Sequence, residues 1–282
     1  MIRISRLKWY VKKAALIFAW LLRDWIATPR LKFYFSSSSW EASIRRTFKW
    51  TKHQVEFGDI REASKLNPDV VIPLNMDDVY FVSNEFRSFP YNRLPATREV
   101  LISLLNDKGR FNDWLNHSKF FRLSLATRTQ PPFMLKPRQG QYGEGCKFIV
   151  DEPTYTKYKK LILSDDFLCQ EVLISHKEYA THLLVNNGKI LRSICVEYTF
   201  PTSLPIKGVD SPDITRIVSE SFPHLWSELM MEISYSGICC INYKICNGDP
   251  KLMEINPRFG GSLAEYFFTF SGSIARIGIP SY

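Results

Sequence analysis

Asn242, Glu254, Asn256 and Arg258 are the residues whose types and spacing point most directly to chemistry. They lie within Gly237 to Ser262, where Ile238 to Cys246 is rich in β-formers and Asn247-Gly248-Asp249-Pro250 is turn chemistry. Lys251 to Asn256 then reads as a short return strand. With Cys246 to Pro250 as a five-residue loop and Ile245 facing Lys251, Asn242 comes to lie opposite Glu254. Asn256 falls two residues along on the same face. A carboxylate and two amide oxygens on one face suit Mg²⁺, or Mn²⁺ in its place, in a site shared with substrate phosphates. A guanidinium at Arg258 can clamp a phosphoryl oxygen as its charge redistributes. A surface hairpin with a solvated glutamate fits this stretch as well, and the stretch alone does not separate the two.

Further upstream, Pro131 to Val150 reads as strand, glycine loop, strand. Lys136 closes the first strand, and Gly140, Gly143 and Gly145 let backbone N–H groups approach an anion closely. The spacing matches neither the Walker loop nor the dinucleotide fingerprint, which leaves a flexible hairpin over phosphates or an ordinary glycine-rich turn. Between the two stretches, an apolar strand ends at Glu171 and a second restarts at Glu178. A carboxylate and backbone groups at a strand end can recognise an adenine edge, and a second carboxylate can accept ribose hydroxyls.

Lys136-Pro137 with its glycine loop, Gln170-Glu171 followed by Glu178-Tyr179, and Met253-Glu254-Ile255-Asn256-Pro257-Arg258 occur in the order found in the ATP-grasp superfamily. Over residues 65–265 the chain resembles the branch containing the carbamoyl phosphate synthetase large chain and related carboxylate–amine ligases. The resemblance implies an α/β (α+β) ATP-grasp fold. In it, a small N-terminal α/β pre-grasp domain precedes two subdomains that grip ATP between antiparallel sheets. It divides the chain into a basic amphipathic helix over 1–30, a pre-grasp domain over 31–105, a lid subdomain with the glycine loop over 106–175, and a C-terminal subdomain with the metal hairpin over 176–282.

Carried over by position, Lys108 resembles the family's first nucleotide lysine and Lys136 the second, which reaches the α/β-phosphates. Gly140, Gly143 and Gly145 would cover the phosphates, Glu171 and the backbone at Leu173 would hold adenine, and Glu178 the ribose. Asn242, Glu254 and Asn256 would be the Mg²⁺ ligands, with Arg258 and Lys136 as the catalytic cations. Asn242 departs from the many members that carry an acid there. A neutral ligand lowers the negative charge, so either a metal binds more weakly or one of two ions depends more on ATP.

The implied activity is ADP-forming ligation of a small carboxylate to an amine or thiol, both amino-acid-like, through an acyl phosphate. Two other readings stay open. One is an ATP-grasp protein that binds ATP with little or no catalysis, motivated by Asn242 and by the 20 residues after Ser262, a length short for the family. The other is a basic membrane-associated interaction protein on an inherited scaffold.

Composition frames these readings. The 282 residues carry 37 basic and 28 acidic side chains, a formal charge of +9 that favours a polyanionic partner such as ATP or an acidic lipid surface. No nucleic-acid motif is present, and the aromatics are not laid out as a stacking platform. Six cysteines without a Cys-x-x-Cys pair fall mostly in apolar runs, as expected of buried thiols in a reducing cytoplasm. Near the N-terminus, Arg3, Arg6, Lys8, Lys12 and Lys13 precede the apolar run Ala14 to Leu22, which is too short to span a bilayer. Trp9, Trp20 and Trp25 beside it suit either a helix packed on its own domain or one lying on the inner face of a membrane. Oligomerisation is left open.

The elements that must position these groups follow from local pattern. Strands are expected at Leu31–Phe35 and through Asp69–Pro73, the latter as apolar as a parallel strand covered on both faces. Asp77-Asp78 would follow at the carboxyl end of that strand, where open α/β sheets bind ligands. No glycine-rich first βα turn occurs in residues 1–60. Helices are expected at Glu41–Lys52, Ala96–Leu105, Asp107–Asn116, Asp151–Leu163 and Ile214–Ile233, the last broken at Pro223. Asn186-Asn187-Gly188 signals a hairpin. Arg192 or Lys207-Gly208 could face phosphates, though each fits a solvated charge better, and His182 shares a strand face with Glu178, where it could approach the nucleotide or be a satisfied histidine.

Overall fold

The computed structural model describes residues 28–85, 89 and 92–278, so the helix expected over residues 1–30 lies almost wholly outside the described residues. Two compact units emerge, one of residues up to Ala96 together with those from Phe259 onward, the other Thr97–Arg258.

The first unit holds a three-stranded parallel sheet in the order β2-β1-β3, formed by β1 (Lys32–Ser36), β2 (Gln54–Gly58) and β3 (Val70–Ile72). Phe33 pairs with Val55 on one side and Val70 on the other. All of β3 is buried, which is why it reads as an unbroken apolar run. The first βα turn uses serines in place of glycines. Ser36 Oγ accepts from the Leu74 N–H at 2.7 Å, and Ser38 Oγ from the Trp40 N–H at 2.9 Å. Helix α1 (Glu41–Phe48) stops short of the expected Lys52, because Thr51 turns the chain by donating both its N–H and its hydroxyl to the Phe48 carbonyl. Asn75 caps α2 (Met76–Asn84). Asp78 is buried in that cap, 2.6 Å from the Asn75 amide and 3.6 Å from Arg61.

In the second unit, α3 (Glu99–Asn106) leads into α4 (Lys108–Asn116), whose first N–H groups are capped by the Asp107 carboxylate. Two antiparallel sheets follow. The smaller has the order β5-β4-β6, from β4 (Phe133–Pro137), β5 (Lys147–Ile149) and β6 (Phe167–Gln170). Helix α5 (Glu152–Ile162), opened by an Asp151/Thr154 capping box, packs Tyr155, Tyr158, Leu161 and Ile162 on it. The larger sheet is β11-β10-β7-β8-β9, made of β7 (Lys177–Asn186), β8 (Lys189–Thr199), β9 (Ile214–Val218), β10 (Gly237–Cys246) and β11 (Asp249–Asn256). One of its faces is sealed by α3, α4 and α6 (Pro223–Glu232) around Phe111, Leu115, Trp226, Tyr243 and Ile255. Alternation along the strands leaves the opposite face to Glu178, His182, Cys240, Asn242 and Lys244.

The structure revises two further sequence expectations. Ile214 to Val218 is an edge strand paired with β8 through Ile214↔Thr199 and Ile217↔Val196, and the helix begins only at Pro223. The β-branched run Ile214-Thr215-Arg216-Ile217-Val218 favours a half-exposed strand, and proline belongs at a helix's first position. The β10–β11 loop has two residues, Asn247 and Gly248, both at positive φ as a type I′ turn requires. Ile245 therefore faces Pro250, one residue away from the expected partner. A shift in register after Tyr243/Leu252 then restores the expected pairing of Asn242 with Glu254. The bulge also lets Leu252 and Ile255, three residues apart, both enter the core while Glu254 points the other way.

Candidate functional site

Glu254 is the centre of the polar face. Its Oε1 accepts from the side-chain amides of Asn242 and Asn256, each at 2.9 Å, and Lys108 Nζ lies 3.3 Å from its Oε2. Burial pushes this carboxyl up, but Lys108, the Asn256 amide, Lys136 and Lys207 outweigh it and hold it down at about 2. It is a carboxylate at any physiological pH.

Cations surround it. Lys108 opens α4, fixed because Asp107 caps the helix and the Lys108 N–H binds the Arg138 carbonyl at 3.0 Å. Lys136 sits in β4 opposite Leu168, where burial drives its ammonium below the usual range while Glu254 and Glu178 oppose the shift. Arg258 is buried, 3.0 Å from Gln141 Oε1. Lys207 lies 2.9 Å from Glu178 Oε1, 2.6 Å from Asn242 Oδ1 and 5.0 Å from the Tyr198 ring centre. Burial disfavours its charge, yet Glu178 raises it above the ordinary lysine value. Lys244, buried on β10, has Nζ 3.4 Å from the Leu173 carbonyl, and burial lowers it.

The glycine loop is tied to this cluster at three places. Lys108 Nζ donates to the Gly140 carbonyl at 3.2 Å, Arg258 holds Gln141, and Gly143 packs on Ile206 and Lys207. A β-carbon at Gly143 would come within 2.7 Å of the Lys207 carbonyl oxygen, so the close approach and the positive φ of 66° both call for glycine. Gly140 and Gly145 also lie at positive φ, within the hairpin that joins β4 to β5.

The structure thus brings together Lys108, Lys136, the glycine loop, Asn242, Glu254, Asn256 and Arg258, with Glu178 joined through Lys207. Glu171 lies at the edge of this cluster, its charge reaching Cys246 beside Lys244. It follows β6, and its Oε1 accepts from the Ala126 N–H at 3.0 Å. Sequence reasoning passed over Lys244, and weighed Lys207 as a phosphate-facing residue but favoured a solvated charge. Period-two alternation from Asn242 would have found Lys244, whereas nothing in the polar loop before β9 marks Lys207 as half-buried. His182 shares the face, is fully buried, and is pushed down to about 3 by burial.

The donor set suits Mg²⁺ as a shared ion. Glu254 supplies a carboxylate, and Asn256, whose amide N–H donates to Glu254 Oε1, would add an oxygen ligand by turning its amide over, the ion completing its shell with waters and phosphate oxygens. No group of three or more His, Cys, Asp or Glu side chains fit to hold a metal occurs among the described residues, so no all-protein cage is present there.

No family model matches this chain, and no curated protein does. Solved structures do. An L-amino acid ligase from Bacillus licheniformis superposes with a TM-score of 0.58 at 11% identity, over 89% of this chain and 73% of that one. A phosphoribosylamine–glycine ligase from Thermotoga maritima gives 0.61 at 15%, over 86% and 72%. A D-alanine–D-alanine ligase from Bacillus anthracis gives 0.54 at 14%, over 84% and 89%. With two antiparallel sheets in the second unit and a glycine hairpin in the smaller one, the chain has the ATP-grasp fold.

Proposed function

We propose that this chain is an ATP-dependent ligase that joins a small carboxylate to an amine, or a thiol, releasing ADP. The observation that carries the reading is the convergence of Lys108, Lys136 and Lys207 on Glu254 beneath a glycine loop that Arg258 holds at Gln141. So many cations around so few carboxylates call for a polyanion.

The chemistry follows from charge. A free carboxylate resists attack by an amine because its oxygen is a poor leaving group. When a carboxylate oxygen takes the γ-phosphoryl group, the bond from that phosphorus to the bridging oxygen breaks and ADP leaves. The amine then attacks the acyl phosphate carbon, loses a proton, and expels phosphate. No side chain need become covalently attached. Lys136 and Lys108 would hold the phosphates, Glu178 and the Leu173 backbone the nucleoside, and Arg258 the transferring group. Glu254 and Asn256 would hold Mg²⁺, which when bound neutralises phosphate charge. The glycine loop, already anchored by Lys108 and Arg258, would exclude the water that hydrolyses an acyl phosphate.

Six free thiols fit a reducing cytoplasm. No helix among the described residues is long and apolar enough to cross a membrane.

A second reading, nucleotide binding without turnover, is favoured by one observation: the Asn242 oxygen is engaged by Lys207. The test is an ADP-release screen across amino acids and small carboxylates, each with and without an amine. Release that needs both substrates supports the ligase. Nucleotide binding with no stimulated release supports the second reading.

A further inference from the structure

Charge is divided unequally along the chain. Residues 1–52 carry 12 lysines and arginines against two acids, Asp24 and Glu41, a net charge of +10. Residues 53–282 carry 25 bases and 26 acids and are close to neutral, so the whole excess of the chain lies before His53. Five of the seven tryptophans, Trp9, Trp20, Trp25, Trp40 and Trp50, fall in the same stretch. Trp40 stacks on Phe259 at 5.7 Å, whereas Trp50 is 70% exposed and makes no ring contact among the described residues.

The fold ties the end of this basic segment to the turn that carries Trp50. Lys52 Nζ donates to the Thr28 carbonyl, the Leu31 N–H to His53 Nδ1 at 3.2 Å, and the Gln54 N–H to the Leu31 carbonyl at 2.9 Å. Arg30, Lys49 and Trp50 flank that join in sequence and are exposed, and neither Arg30 nor Lys49 has an ion-pair partner among the described residues. The acids of the same unit are mostly engaged already. Arg45 holds Glu41, Lys32 holds Glu56, Arg61 holds Asp59 and Asp78, and Arg46 holds Glu265. Few carboxylates of this unit are left to answer the segment's charge.

We infer that residues 1–30 and the Trp50 turn form a docking surface for an anionic lipid bilayer. Lysine and arginine draw such a face to acidic headgroups, and tryptophan rings settle at the headgroup level. The uncharged apolar run Ala14 to Leu22 suits the boundary between headgroups and acyl chains and offers nothing to a nucleic-acid backbone. The inference is independent of the nucleotide reading, whose cations all belong to the near-neutral remainder of the chain.

The test is co-sedimentation of the full chain with sucrose-loaded vesicles of phosphatidylcholine, alone or with one-third phosphatidylserine. Binding to the anionic vesicles should exceed that to the neutral ones by at least about tenfold, since each Lys or Arg near the surface is worth roughly fivefold. It should weaken as NaCl rises from about 0.1 M to 1 M and the Debye length falls from about 10 Å to 3 Å. Equal binding to both vesicles, or none to either, overturns the inference. Reversing charge in Arg30→Glu with Lys49→Glu should lower anionic-vesicle binding by about tenfold or more. Trp50→Ser should lower it by roughly three- to tenfold, while Phe121→Ser, at an exposed aromatic outside the segment, should leave it unchanged. All four side chains are exposed, so Tm should not move. Unchanged binding in the Trp50 and charge-reversal variants, or an equal loss in the Phe121 variant, overturns the place given to the Trp50 turn. Vesicle binding abolished by a competing single-stranded oligonucleotide would overturn the lipid assignment in favour of a nucleic acid.

Discussion

Two opposing effects meet on the carboxyl of Glu254, and their balance decides what the residue can do. Burial would neutralise it, but the lysines around it hold it charged at about 2. A metal-binding carboxylate acts mainly where charge builds up on the transferring phosphate, so Glu254→Ala should abolish ADP release while nucleotide affinity falls less than about tenfold, or ~1.4 kcal/mol. Lys136→Ala should do the reverse and weaken nucleotide binding by roughly ten- to a hundredfold, the loss of one charge-assisted contact of about 1.5–3 kcal/mol. Calorimetry and a coupled ADP assay on the two variants read both outcomes; full turnover in the Glu254 variant would remove its assigned role. Glu197 offers a separate check at a distance from nucleotide chemistry. Burial pushes it up, but Lys177, Arg216 and the Tyr179 hydroxyl bring it below its ordinary value of 4.5. Its folded-state pKa is thus depressed, so it stabilises the fold fully above pH 4.5 and less as pH falls through the folded value. Glu197→Gln should cost about 1–2 kcal/mol at pH 7, discounted because Lys177 and Arg216 are about half exposed. Urea unfolding at a series of pH values should show that deficit shrinking below pH 4.5, and a constant deficit would remove the electrostatic account.

Among the elements, turns and bulges fix where the chemistry points. The Asn247-Gly248 turn, the β10–β11 bulge and the glycine hairpin each replace a simple expectation with a local device. Most of the fold was legible: the apolar run of β3, the Asp107 and Asp151 helix starts and both Asn-Gly hairpins are strong local signals. What was not legible depends on neighbours distant in sequence. Ile214–Val218 fits a helix face as well as a strand, and only pairing with β8 decides it. Lys207 is half-buried because Glu178, 29 positions earlier, and Asn242, 35 later, happen to meet there. The expected pairing of Asn242 with Glu254 holds, although the loop was two residues and not five, because a bulge offsets the turn. Two glycine substitutions separate conformational cost from contact. Gly248→Ala has open space at a φ of 88° and should cost about 1 kcal/mol of stability with unchanged nucleotide affinity. Gly143→Ala adds a clash with the Lys207 carbonyl, displaces the loop, and should lower kcat/KM by about tenfold or more. Equal effects of the two on catalysis would show that the loop does not cover the reacting groups.

For the whole molecule, the formal charge is +9, and five cations of the second unit share one polar face. Lys108, Lys136, Lys207, Lys244 and Arg258 are held near one another by partners that only partly neutralise them, which costs stability until an anion arrives. A ligand that binds only the folded chain raises its unfolding free energy by about 2.7 kcal/mol at a hundred times its Kd. Charge recognition makes that gain depend on the phosphates and not on the base. Thermal unfolding with equal concentrations of Mg²⁺-ATP, AMP and adenosine should therefore give a large rise in Tm for ATP, a small one for AMP and almost none for adenosine. Raising the salt from 50 mM to 500 mM should shrink the ATP shift, since the Debye length falls from about 14 Å to about 4 Å. Because Lys207, Glu254 and Arg258 are largely buried, a residual shift should persist at the higher salt. Adenosine stabilising as strongly as ATP would mean that the cation cluster holds the fold together and leaves nucleotide recognition to the apolar surface around Leu173.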